Sequence, residues 1–184
     1  MSARLFVALE LPAAVRAKLG DFGRAAAERD FALRAVHDDA LHLTLAFLGH
    51  RALAEVDPAR AALLEAAGGA AAPPLELGAP LWLSPRRPHV LTVGLEDAGG
   101  GLAALQARVI ERLAAALPWE PESRPFRPHV TVARVRRGAR PRTANLPEAP
   151  AASFAAPAVV LYRSFLGGGG PARYQPLERV SLVS

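Results

Sequence analysis

The chain contains no cysteine, which excludes a disulfide framework and any thiolate metal site. Lysine is almost absent as well: of 22 basic residues, only Lys18 is not an arginine. There is no long apolar run. The stretch from Leu5 to Leu9 is cut off by Glu10 and Pro12, and nothing approaches the roughly 18 apolar residues that cross a bilayer. The opening MSARLFVALELP also lacks the pattern of a secretory signal, so a soluble cytoplasmic protein is expected.

What is present bounds the fold. About half of the 184 residues are apolar (51%), enough for a proper core and too many for a disordered chain. The length suits one domain over residues 1–184, built as two lobes. The net charge of +5 is carried by arginine, which binds phosphate with two parallel hydrogen bonds. A phosphate-rich partner fits that balance. So does a coding bias toward alanine, arginine, glycine and proline, and the charge alone does not decide between them.

Local patterns predict the elements. Residues 4–10 read as a buried strand and 13–29 as a helix weakened by Gly20 and Gly23. Residues 41–48 alternate as a strand bounded by Gly49. Asp57-Pro58 opens a helix that runs to about Ala67. Two strands, 75–83 and 89–95, flank a turn at Ser84 to Pro88. After Gly99 to Gly101 comes an amphipathic helix, 102–117, with Leu102, Leu105, Val109, Leu113 and Leu117 along one stripe. Residues 129–135 form a strand. Residues 136–150, with three prolines and four arginines, read as a mobile surface loop. A last strand pair, 157–166 and 173–183, joins across Gly167 to Gly170. The order of strand, helix and histidine-bearing strand thus occurs twice. It predicts an α+β fold of two similar lobes, whose antiparallel sheets flank a central cleft with helices on the outside.

The chemistry is concentrated in two matching stretches, His42-Leu43-Thr44-Leu45 and His129-Val130-Thr131-Val132. In a strand, residues i and i+2 share a face, so each stretch sets an imidazole beside a hydroxyl and turns the aliphatic residues to the core. With four threonines and five histidines in the chain, each histidine has roughly a 2% chance of a threonine two residues on. Two such pairs are therefore a signal. In-line displacement at phosphorus needs a base on one side and an acid on the other, and histidine can be either near neutral pH. Two hydroxyls supply donors for the non-bridging oxygens.

These paired motifs resemble those of the two-histidine phosphoesterase superfamily. Within it the chain is similar to the bacterial and archaeal RNA 2′,3′-cyclic phosphodiesterases, historically called 2′-5′ RNA ligases. The similarity runs through RLFVALELP from Arg4, LHLTLAFLG from Leu41 and FRPHVTVARV from Phe126, and on into LYRSFL and YQPLERVSL. The resemblance implies His42 as proton donor, His129 as proton acceptor, and Thr44 and Thr131 as phosphate-contacting hydroxyls. It also implies Arg134 near the phosphate and Phe47 near a base. Simple alternation would turn those last two away from the histidines, so a twist or bulge is required. Relatives often carry an aromatic residue near Arg34 to Asp39, and this chain does not.

Other features read more plainly. His89 repeats the Arg-Pro-His-Val of His129, but its nearest threonine, Thr92, is three residues on and off its face. His37, Asp38, Asp39 and His42 match no metal-ligand spacing, so neither metal nor cofactor is expected. His50 is expected to be exposed at a strand end. Gly99 to Gly101 lacks the Lys-Ser/Thr of a phosphate loop. The expected function is opening of a 2′,3′-cyclic phosphate at an RNA end. Two alternatives stay open: a non-catalytic RNA or nucleotide binder, and a phosphodiesterase for another small cyclic phosphate or a 2′-5′ linkage.

Overall fold

The computed structural model describes residues 1–84, 86–165 and 173–183. Pro85 and the glycines Gly167 to Gly170, on which two connections were expected, lie outside the described residues. The strands are β1 (Ser2–Leu9), β2 (Leu33–Ala35), β3 (Leu43–Ala52), β4 (Pro74–Leu83), β5 (Val90–Glu96), β6 (His129–Val135), β7 (Ser153–Ala155), β8 (Ala158–Phe165) and β9 (Arg173–Ser181). The helices are α1 (Ala13–Arg29), α2 (Val56–Ala67) and α3 (Gly101–Ala116).

The strands follow one antiparallel path, β7-β4-β5-β6-β3-β1-β8-β9, with β2 added to β6, and the sheet curls into a half-barrel. Its two sides meet at a seam between β3 and β6, registered only at Leu43↔Val130. The sides are interleaved in sequence. β8 and β9 return to flank β1, while β2 crosses from the first half of the chain to β6. Helix α1 packs on β2 and β6, whereas α2 and α3 pack on each other and on β3, β8 and β9. The predicted stripe of α3 is buried from Leu102 to Leu113, and one apolar core runs under both sides of the seam.

The glycines of α1 have a packing reason. A methyl group at Gly23 would stand 2.6 Å from the Val132 carbonyl oxygen, and one at Gly20 would overlap the Asp38 carboxylate. The helix therefore lies against β6 more closely than any side chain allows. Three expectations change. Gly49, at φ 70°, does not end its strand, because β3 continues to Ala52. Strands β2 and β7 were not predicted: three residues each carry no readable period, and their partners define them. The 136–150 segment has no helix or strand, as expected, but it is pinned to the body. Buried Asp30 accepts from the Arg142 amide at 2.6 Å, Trp82 donates to the Thr143 carbonyl, and Arg29 donates to the Leu146 carbonyl.

Candidate active site

Both histidine motifs lie on the seam. His42 immediately precedes β3 and His129 opens β6. Because Leu43 pairs with Val130 in antiparallel register, His42 lies level with Thr131, and Thr44 with His129. Leu43 and Val130 are fully buried toward the core, so the flanking His and Thr residues face the other way, half-buried, on one shared surface. The two pairs are thus related by a local two-fold, diagonal to one another.

Each imidazole is oriented by its own backbone. His42 Nδ1 lies 2.8 Å from the Ala40 carbonyl oxygen, and His129 Nδ1 lies 2.7 Å from that of Arg127. A carbonyl only accepts, so Nδ1 carries hydrogen in both rings and Nε2 is left for chemistry. The two environments then diverge. His42 lies against Phe6 (ring centroids 4.9 Å) and meets Tyr174 edge-on (5.2 Å), with Tyr162 at 6.4 Å. Burial among these rings lowers its pKa to about 4; the Ala40 carbonyl opposes this, and the positive charges of Arg134 and His129 add to it. His42 is therefore neutral at pH 7 in the free protein.

Phe47 and Arg134 reach this surface by the same device. In β3, Ala8 pairs with Thr44 and Val7 with Ala46, leaving Leu45 as an extra residue. In β6, Thr92 pairs with Thr131 and Leu91 with Ala133, leaving Val132 extra. Each one-residue bulge sends two successive side chains, Leu45 and Ala46 or Val132 and Ala133, into the core. The third, Phe47 or Arg134, returns to the histidine face. Phe47 is 59% exposed, directly across from Phe6. Arg134 is close enough to depress the His42 pKa.

Three residues of this surface were not singled out from sequence: Phe6, Tyr162 and Tyr174. Phe6 pairs with both Phe47 and Tyr162, forming an aromatic rung across β3, β1 and β8. The chain's only two tyrosines both end up here, a sparseness that could have flagged them. Burial and the nearby Glu10 carboxylate raise the Tyr162 pKa, so its phenol keeps its proton.

The remaining candidates fall away from the seam. His89 is exposed, with its carbonyl accepting from Val135, at the opposite end of β6 from His129 and roughly 20 Å along the strand. Thr92 is buried and donates to the Leu81 carbonyl. His37 and Asp39 form a turn, and Asp38 pairs with Arg24 at 2.6 Å. Among the described residues, no three His, Asp or Glu side chains converge as a metal site would need. His50 is exposed within β3. Gly100, at φ 69°, precedes α3, where Asp97 accepts from the Ala103 amide.

The family model of the 2′-5′ RNA ligase superfamily matches residues 11–164. The chain belongs to that superfamily. It is 35% identical over 98% of its length to the RNA 2′,3′-cyclic phosphodiesterase of Escherichia coli K12, covering 97% of that protein. The superfamily fold is equally plain. The crystal structure of E. coli LigT complexed with 3′-AMP superposes with a TM-score of 0.79 at 26% identity, over the whole of both chains. TT0787 of Thermus thermophilus superposes with a TM-score of 0.74 at 29% identity, over 97% of each chain. No helix among the described residues is long and apolar enough to cross a membrane.

Proposed function

We propose that this protein hydrolyses the 2′,3′-cyclic phosphate at an RNA end to a 2′-phosphate, with His42 and His129 as its acid–base pair and no metal ion. The observation that carries the reading is the juxtaposition of the two His-x-Thr pairs across one antiparallel seam, each histidine with Nε2 free. The E. coli relative's activity supports the substrate class.

In this reading His129 Nε2 takes a proton from water as the water oxygen attacks phosphorus. The P–O3′ bond breaks, and His42 Nε2 protonates the departing O3′. Thr44 and Thr131 donate to the non-bridging oxygens, where charge builds up. Arg134 holds the same phosphate, and exposed Phe47 offers its ring to the terminal base. His42 is neutral in the free protein, so it takes up its proton from solvent when the substrate binds. The phosphate's negative charge works against the burial and the Arg134 charge that push the proton off. A cytoplasmic location accords with RNA as the partner.

The test is turnover of a nucleoside 2′,3′-cyclic phosphate, with the product identified by phosphorus NMR. His42→Ala and His129→Ala should each lower kcat by roughly 10²–10⁴. The double variant should lose much less than the product of the two, because the pair acts as a unit. His89→Ala should keep turnover near the parent's. A fully active His129→Ala enzyme would refute the pairing, and a 3′-phosphate product would refute the regiochemistry. Chelation with EDTA should leave the rate unchanged, and recovery only on adding a divalent ion would overturn metal independence.

A further inference from the structure

The basic residues are unevenly used. Arg24, Arg51, Arg60, Arg112, Arg124 and Arg179 each pair with a carboxylate. Most other arginines have no such partner among the described residues, and several of these lie in a strip beside the seam. Arg34 of β2 is directly opposite Arg134 of β6, both exposed, and neither forms an ion pair among the described residues. Like charges opposed at about 5 Å across a strand pair disfavour the pairing unless an anion lies over them. The β6 bulge returns Arg134 to the histidine face, so an anion next to Arg34 is continuous with whatever occupies the histidines.

Past the end of the β2–β6 pair, further exposed residues are again basic or aromatic. Arg136 donates its amide to the Ala32 carbonyl and its Nε to that of Phe31, which sets Phe31 level with Arg137. Phe31 is 81% exposed, the most exposed aromatic ring among the described residues. Beyond it, Arg137, Arg140 and Arg142 are exposed on the pinned loop. The acidic residue closest in sequence and bonding, Asp30, spends its carboxylate on the Ala32 and Arg142 amides. A set of guanidinium groups with no carboxylate partner among the described residues, and an aromatic ring near them, suits single-stranded nucleic acid, whose phosphates and unstacked bases take those two kinds of contact.

We infer that this strip is the track for the RNA strand leading to the reacting end. With its terminal phosphate at the histidines, a single strand passes between Arg134 and Arg34, stacks a base on Phe31 and runs over Arg137 and Arg140. This rests on the function proposed above and adds to it the substrate's length and strandedness: single-stranded ends of several nucleotides in preference to mononucleotides.

The experiment compares a single-stranded RNA decamer ending in a 2′,3′-cyclic phosphate with the cyclic mononucleotide. It also measures binding of a labelled decamer by fluorescence anisotropy across a salt series. Arg34→Ala and Arg137→Ala/Arg140→Ala should each lower the decamer-to-mononucleotide ratio of kcat/KM. They should also shrink the salt slope of binding by about 0.7 per arginine removed. Phe31→Ala should weaken decamer binding roughly fivefold or more while leaving the slope unchanged. Arg112→Ala, on α3 with its own Glu65 partner, controls for net charge and should leave the ratio unchanged. The track is overturned by unchanged slopes in the strip variants, by an Arg112→Ala effect of the same size, or by a duplex that binds as tightly as the single strand. Wild-type protein that turns over neither substrate yet shows the expected slopes would refute the catalytic reading and leave the track standing.

Discussion

His42 is a weaker base than histidine in water, and the cause is the company it keeps. The imidazolium form would be held against Phe6, Tyr174 and Tyr162, with Arg134 and His129 nearby, so burial and positive charge both favour the neutral ring. This has a consequence for stability. Its folded pKa of about 4 lies below the ordinary 6.5, so the unfolded chain binds the proton first as pH falls. The associated stability is complete above pH 6.5 and is lost between there and pH 4, about 3 kcal/mol in all. Denaturant unfolding of the wild type and of His42→Gln at pH 7.5 and 4.5 isolates this part from the carboxylates. The wild type should lose about 2 kcal/mol more than the variant over that interval, and parallel curves would mean that His42 titrates as it does in water. The histidines and threonines were legible from sequence because their chemistry and spacing are local. The rings around His42 were not, since Phe6 comes from β1 and Tyr162 and Tyr174 from β8 and β9, all far from His42 in sequence.

At the scale of the element, the site depends on two bulges that strand alternation cannot reveal. Counting by twos put Phe47 and Arg134 on the core side; the extra residues Leu45 and Val132 return them to the histidine face. The β6 bulge is also where α1 comes closest. The Val132 carbonyl accepts from the Val36 amide at 2.9 Å and leaves no room for a methyl group at Gly23. Gly23→Ala would gain about 1 kcal/mol of helix propensity. Overpacking against a backbone carbonyl costs more, about 1–3 kcal/mol, because backbone cannot rotate out of the way. The expected outcome is net destabilisation in chemical denaturation, together with a fall in turnover as β6 shifts Thr131 and Arg134. A stabilised and fully active Gly23→Ala protein would show that α1 can retreat without cost. From sequence alone this glycine reads as a weakness in a helix, because the strand it touches lies more than a hundred residues away.

The whole molecule brings its two histidines together across a seam with one registered pair, so their relative position is a property of the core beneath them. The α+β class, the antiparallel pairing and the outer helices were legible because apolar periodicity reports them. Which strands share a side was not legible: β2 crosses to β6 and β8 returns to β1, and no local pattern encodes a partner. The seam's role can be separated from general stability by two substitutions alike in chemistry. Val130 and Val159 are both fully buried valines in strands, the first at the seam and the second in β8 between Leu9 and Val180. Truncating either to alanine removes two methyl groups and should cost about 2 kcal/mol. Only Val130→Ala loosens the pair that fixes His42 level with Thr131, and a misplacement of about 1 Å can cost roughly 10²-fold in rate. Well below the melting temperature, Val159→Ala should keep near-parental kcat while Val130→Ala loses at least tenfold. Equal kcat for the two variants would mean that the seam is held elsewhere, and that the single registered pair is a consequence of the site's geometry and not its cause.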